Sequence, residues 1–234
     1  MKQGVQVKNS KERISEIIDR VMENFPVDLS RFENRDPFEL LVAVILSQKT
    51  NRENVRAALE RFRSRFESLK EVASADVKLI AEAIKPAGLW RMKAPRIKQI
   101  AEELVKGGIT LERILALPYE DAKKMLSSMK GIGPKTADVF LMIARREPVL
   151  PIDTHIFRIM RRLGVADERD DYESLRKKLE SATKPNERMR AHLALIEFGR
   201  KICRARNPKC GMCPFKSFCQ FHERRCKAQK DSNS

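Results

Sequence analysis

The sequence predicts an all-α fold. Three observations carry that prediction: apolar residues recur at helical spacing along most of the chain, capping residues and Gly or Pro breaks separate the runs, and nowhere is there a convincing stretch of alternating apolar and polar residues.

Residues 1–10 read as a loose start, after which Ile14, Ile17, Ile18, Val21 and Met22 form one amphipathic helix ahead of Pro26. Asp36-Pro37 opens the next helix, with Glu39 three residues after the cap, and its interior LLVAVIL is apolar on every side, the mark of a core element. It ends in an abrupt polar cluster, Ser47-Gln48-Lys49-Thr50-Asn51, a place suited to a ligand-facing group. Asn51 caps a third helix carrying Val55, Ala58, Leu59, Phe62 and Phe66, and Asp76 sits at the start of a fourth, which closes at Lys85-Pro86-Ala87-Gly88. A loop, AGLWRMKAP, holds the only Trp of the chain. Further helices are predicted over 95–105, 110–117, 119–129, 134–145, 154–163, 172–182 and 187–202. There is no internal repeat, and the polar end, 224–234, is predicted to be disordered.

The formal net charge is +16, from 48 Lys and Arg against 32 Asp and Glu, and the basic residues are spread through the chain. A polyanion is the expected partner. No segment approaches the ~20 apolar residues of a membrane span, and the opening MKQGVQVKNSKER lacks the apolar core of a signal peptide. The expected location is intracellular, in the cytoplasm or nucleoid. Against this background the pair Leu89 and Trp90, flanked by Arg91 and Lys93, has two readings: an apolar tip that wedges into stacked bases, or a loop whose Trp plugs the core.

Residues 129–155 organise the rest. Gly131 and Gly133 break a helical pattern for a few residues, and Pro134, suited to a first helical position, begins a new one. Such a helix-turn-helix points backbone N–H groups outward and so offers a site for an anion such as a DNA phosphate. Lys135 lies in that first turn and Lys130 in the turn before it. A helix from Pro134 climbs ~1.5 Å per residue, and the nearly extended return 147–153 covers ~3.3 Å per residue. Asp153 can therefore come back beside Lys135, where an amine and a carboxylate act together. The plainer role for Asp153 is to cap the helix that follows it, and both roles can coexist.

Four of the five cysteines, Cys203, Cys210, Cys213 and Cys219, fall within 17 residues as C-x6-C-x2-C-x5-C. Cysteines this dense in a chain of this kind argue for metal rather than disulfides. Zinc favours paired short spacings and only one C-x2-C occurs, so a [4Fe-4S] cluster fits the uneven spacing better, with zinc the alternative. His222 is a conceivable substitute ligand, and Cys226 lies outside the pattern as a free thiol. The intervening loop RARNPK, with Arg204 and Arg206, reads as a metal-stapled phosphate clamp or as a merely solvated loop.

The hairpin KGIGPKTAD, the PIDTHIFRIMRRLG segment placing Asp153 18 residues beyond Lys135, and the cysteine terminus together resemble the endonuclease III family of DNA glycosylases, within the helix-hairpin-helix superfamily. The resemblance implies two helical domains, with DNA in the cleft between them: a six-helix barrel over 30–135 including the hairpin, and a cluster domain made of 1–29 and 136–223, leaving 224–234 as a tail. It also implies the nucleophilic lysine at Lys135, the essential aspartate at Asp153, the residue filling the gap in the duplex at Gln48 and the wedge at Leu89. Lys93, Lys130, Gly131, Gly133, His155, Arg204 and Arg206 complete the expected DNA contacts. Three positions depart from the family pattern: Met129-Lys130 replaces Leu-Pro, the cluster after LLVAVIL is one residue shorter, and Pro134 stands where Arg or Lys often precedes the lysine.

On this reading a monomer swings a damaged nucleotide out of double-stranded DNA, Lys135 attacks C1′, and a Schiff base leads to β-elimination on the 3′ side. Oxidised pyrimidines are the expected substrates. The alternatives are mismatched thymine or uracil opposite guanine, adenine opposite oxidised guanine, or a non-catalytic DNA-binding module. Retention of Lys135 and Asp153 speaks against the last, and Lys135 with the short tail speaks against adenine removal.

Overall fold

The computed structural model describes residues 10–32 and 35–231. Among these there is no strand, as expected, and the chain divides into two compact units, Met1–Arg31 with Pro148–Ser234, and Phe32–Glu147.

The second unit holds α2 (Pro37–Leu46), α3 (Arg52–Arg63), α4 (Leu69–Ser74), α5 (Val77–Ile84), α6 (Trp90–Gly107), α7 (Leu111–Leu115), α8 (Tyr119–Ser128) and α9 (Pro134–Ala144). Local capping sets several of these starts. Asp36 accepts from Glu39 N at 2.7 Å, Asn51 from Asn54 N at 2.8 Å and Asp76 from Lys78 N at 2.8 Å. As its composition demands, α2 is the buried axis, with Leu41, Val42, Ile45 and Leu46 almost wholly inaccessible, and it packs on α3, α6, α7 and α9. Besides the six helices expected, the unit gains α4, a short helix burying only Val72, and α9. The boundary falls at 147/148 rather than 135/136 because α9 packs against α2 and α8.

α6 departs most from expectation. It begins at Trp90, not Pro95, so that Trp90 to Lys93 are helical and the loop shrinks to Gly88 and Leu89. Pro95 lies inside it and forfeits one helical hydrogen bond. Burial of Ala94, Ile97, Ile100, Ala101 and Leu104 on one face, against α4 and α5, outweighs that loss.

The first unit holds α1 (Ser10–Asn24), α10 (Thr154–Arg162), α11 (Tyr172–Ser181), α12 (Arg188–Lys201) and α13 (Gln220–Asp231). The loose start expected over 1–10 lies outside the described residues except at Ser10, where α1 begins. Ile14, Ile17, Ile18 and Val21 of α1 meet Leu195 and Phe198 of α12 in one core. Phe198 also meets Phe25 and Phe215 edge-on, each at 5.6 Å between centroids. Over 224–231 α13 corrects the expectation of a disordered end, its backbone staying helical to Asp231, while 232–234 lie outside the described residues. Phe221 stacks under Arg162 of α10 at 4.1 Å.

Candidate active site and cluster site

In the turn between α8 and α9, Met129 and Ile132 are buried, whereas Lys130, Gly133, Pro134 and Lys135 are exposed. Gly131 takes φ +96°, where a side chain is strained, and an added Cβ would come within 2.5 Å of Arg96. Gly133, the residue before α9, supplies no side-chain cap, and Pro134 occupies the first turn. The turn is therefore built as predicted, with Gly133, which has no side chain to cap with, at the N-terminus of α9 and Lys135 beside it. The two arms are clamped by a group the sequence reading overlooked: Asp138, wholly buried, accepts from Tyr119 Oη at 2.7 Å and Lys123 Nζ at 3.1 Å.

Gln48 follows α2 and is half-buried. Its Oε1 accepts from Arg96 Nη1 at 3.1 Å, and its Nε2 donates to Thr136 Oγ1 at 3.4 Å. Leu89 has the left-handed φ of +49° and is 45 % exposed, an apolar tip just before α6; Trp90 is half-buried and stacks with Arg91 at 4.1 Å. Lys93 overturns its expected DNA contact. It is 2 % exposed and donates to Leu46 O at 2.8 Å and Ala87 O at 3.0 Å, and burial, reinforced by the nearby Arg96 charge, pushes its pKa down. Helical phase explains this: once α6 starts at Trp90, position 93 faces inward with Ala94 and Ile97.

In the first unit, Asp153 caps α10 by accepting from Ile156 N at 2.8 Å and is half-buried. The extended return before it is held by residues that no motif signalled. Glu180 accepts from Leu150 N at 2.9 Å, Arg188 donates to Pro148 O, and the buried His192 Nδ1 lies 2.8 Å from Pro151 O, as the donor. His155 packs so tightly on α12 that a Cβ at Gly199 would fall 2.8 Å from its Cβ, and Arg158 Nη2 donates to its Nδ1 at 3.0 Å. Burial pushes the His155 pKa down, with Arg158 and Arg200 adding to the effect against Asp153. The shift favours the neutral imidazole.

Cys203, Cys210, Cys213 and Cys219 line one cavity of about 20 Å³ with Phe198, Leu163 and Ile202. Among the described residues no three His, Cys, Asp or Glu groups come close enough to hold a single metal ion. Four thiols that line one apolar void, in the uneven spacing already noted, suit a thiolate-held cluster. Burial pushes the Cys203 thiol up and Cys213 up to about 11, so cluster binding must displace protons. Arg162 secures the site: its Nη1 donates to Cys203 Sγ at 3.4 Å and Arg204 O at 2.7 Å, and its Nη2 donates to Ala205 O at 3.1 Å. Arg204 and Arg206 are exposed on the loop so fixed. His222 and Cys226 pair along α13, outside the cavity lining.

A helix-hairpin-helix unit joined to a four-cysteine cluster site defines a DNA repair protein of the helix-hairpin-helix class, and comparison agrees. Residues 42–185 match the HhH-GPD superfamily of base excision DNA repair proteins, and residues 203–219 match the iron-sulfur binding domain of endonuclease III. Endonuclease III of Thermotoga maritima is 33% identical over 92% of this chain and 96% of its own, and that of Escherichia coli 31% over 92% and 98%. A non-covalent endonuclease III–DNA complex and a trapped endonuclease III–DNA covalent intermediate each superpose with TM-score 0.81 at 27% identity, over 94% of this chain and 100% of theirs. The chain belongs to the endonuclease III family. It is a DNA glycosylase and abasic-site lyase of base excision repair that carries a [4Fe-4S] cluster, and its residues 203–219 match the iron-sulfur binding domain.

Proposed function

We propose that Lys135 is the nucleophile and Asp153 the proton-transfer group of this chain, acting as a monomer on oxidised pyrimidines in double-stranded DNA within the cell. The observation that carries this reading is the hairpin, which sets Lys135 in the first turn of α9 beside an N-terminus whose leading residue, Gly133, has no side chain to cap it. Phosphates bound there and on exposed Lys130 hold the strand without sequence code. Leu89 and Gln48 occupy the stack the swung-out nucleotide leaves.

Attack requires the free amine, and the positive end of α9 favours that form. Because Lys135 is exposed, burial is not a source of activation. Its Nζ bonds to C1′, the N-glycosidic bond breaks, and the base departs with a proton. Asp153 accepts the proton released by the amine and stabilises positive charge developing on the sugar. The sugar ring then opens, the C1′–O4′ bond breaking and O4′ taking a proton as the C1′=Nζ double bond of the Schiff base forms. The Schiff base acidifies the 2′ position, so loss of a 2′ proton expels the 3′ phosphate, and water releases Lys135. Cys203, Cys210, Cys213 and Cys219 would hold the cluster, which would give the loop carrying Arg204 and Arg206 a fixed scaffold. The trapped covalent intermediate of the related endonuclease III supports a covalent step here.

The test is borohydride trapping on duplexes carrying thymine glycol, uracil or thymine opposite guanine, or an abasic site, with Lys135→Gln in parallel. A covalent adduct on thymine glycol that the variant lacks is the expected result. An adduct confined to uracil or thymine opposite guanine moves the substrate to mismatches. No adduct anywhere, despite DNA binding, removes Lys135 from the chemistry.

A further inference from the structure

Arg96 belongs to no motif and is half-buried between two parts of the site. Its side chain lies against the hairpin turn, where a Cβ on Gly131 would meet its Cγ and Cδ at 2.6 Å and its Nε at 2.5 Å. Its far end donates from Nη1 to Gln48 Oε1 at 3.1 Å. The absence of a side chain at Gly131 thus serves two purposes. It permits the left-handed turn, and it leaves the space through which Arg96 passes to reach Gln48.

A guanidinium has donors and no acceptor, so this contact decides which way the Gln48 amide faces. The carbonyl must point to Arg96 and the NH2 away from it, toward Thr136 Oγ1 at 3.4 Å. Without Arg96, a terminal amide turns over readily and shows either a donor or an acceptor on a given side. Three helices contribute to the arrangement: α6 through Arg96, α9 through Thr136, and α2 through the segment that ends at Gln48. The far end of α2 is itself fixed, since Lys93 donates to Leu46 O two residues before Gln48.

We propose that Arg96 is a positioning residue that orients the Gln48 amide and thereby sets which bases are accepted opposite the lesion. The inference rests on the reading of Gln48 as the side chain that enters the vacated stack. With its carbonyl committed to Arg96, Gln48 meets the base left without a partner with a fixed pattern of donors. Bases that answer that pattern are accepted, and the others are disfavoured. A freely turning amide adapts to any base and discriminates little.

The test uses the full-length holoprotein and duplexes with an abasic site opposite each of the four bases, so that removal of a damaged base plays no part. Cleavage rates are compared for the native protein, Arg96→Met, Arg96→Lys, Gln48→Ala and the Arg96→Met/Gln48→Ala double variant, with melting temperatures as a check on folding. The native protein should show a spread of rates across the opposite bases, and Arg96→Met should compress it by about tenfold, the factor that one charge-assisted hydrogen bond carries. Arg96→Lys, which keeps the stem and charge and so guards against loss of folding, should give an intermediate spread. The double variant should match Gln48→Ala, because Arg96 acts through Gln48.

A spread unchanged in Arg96→Met overturns the proposal while leaving the role of Gln48 standing. So does an effect that adds in full on Gln48→Ala and appears as uniformly weaker binding with a shallower salt dependence, the signature of a direct phosphate contact. A Gln48→Ala profile identical to the native one, or a flat native profile, removes the reading of Gln48 itself, and the proposal with it.

Discussion

The ammonium of Lys93 donates to the carbonyl oxygen of Leu46 at 2.8 Å, closing the end of α2 from a side chain on α6. Ala87 O, at the close of the preceding turn, accepts from the same nitrogen at 3.0 Å. The segments that lead into Gln48 and into Leu89 are thus tied to one buried atom. Lys93→Met should destabilise the protein by about 2–4 kcal/mol, since two carbonyls lose their buried donor. Denaturant unfolding measures this. A loss below about 0.5 kcal/mol shows that water replaces the amine, and removes Lys93 from the support of the site.

The same lysine predicts a pH dependence. Burial lowers its folded pKa beneath the ordinary ~10.4 of the unfolded chain. Between those two values the unfolded state binds more protons, so stability rises with pH across that window and levels off above it. Relative to Lys93→Met, the native protein should therefore gain stability as the pH approaches about 10. A neutral amine keeps two N–H donors for Leu46 O and Ala87 O, so losing its proton breaks neither hydrogen bond. Unfolding curves for both proteins over this range give the answer; a constant difference between them means that the buried amine is no harder to charge than a free one.

Lys93 also shows what the sequence could and could not reveal. The starts of α2, α3 and α5 were readable because Asp36, Asn51 and Asp76 cap them through contacts two or three residues away. The start of α6 was not, because Pro95 resembles a first helical residue and only packing against α4 and α5 carries the helix back to Trp90. That shift turned Lys93 from a surface cation into a core one. α13 was hidden for the opposite reason: its composition is polar, and it is anchored by long-range contacts, Phe221 against Arg162 and Gln220 against Gly164. The cysteines, the hairpin glycines, Lys135 and Asp153 were visible as local patterns. Arg96, Arg162, Asp138 and Glu180 were not, since each meets its partner across a long stretch of chain or through burial, which no spacing records.

Arg162 yields the third prediction. Its guanidinium reaches Cys203 Sγ at 3.4 Å and the carbonyls of Arg204 and Ala205 while lying over Phe221. A donor to a ligand sulfur, with two more to the loop that carries it, holds that ligand in place. Arg162→Gln should release iron to a chelator at least about tenfold faster, the lower bound for such supporting contacts. Its visible absorbance at the start should match the native protein, since all four cysteines remain. Equal decay of absorbance in the two proteins assigns the holding of the loop to the cysteines alone.

The last prediction concerns Asp138, Tyr119 and Lys123, which join the two arms of the hairpin. Asp138 is wholly buried, accepts from Tyr119 Oη at 2.7 Å and Lys123 Nζ at 3.1 Å, and sits one turn beyond Lys135 on α9. Removing a single partner from a buried ion pair leaves an uncompensated charge, so Asp138→Ala should cost about 3–5 kcal/mol. Replacing the whole group with Asp138→Leu, Lys123→Met and Tyr119→Phe should cost far less, because apolar side chains of similar size repack such sites with little loss. The two variants separate stability from alignment. If the group only stabilises the fold, the triple variant should retain native lyase activity. If it also fixes the angle between α8 and α9, that variant should fold yet cleave abasic DNA about tenfold or more slowly, since small displacements of a catalytic group have large effects on rate. The fixed angle is the expected outcome, because hydrogen bonds hold a direction that apolar contacts leave looser. A triple variant with native stability and native kcat refutes it.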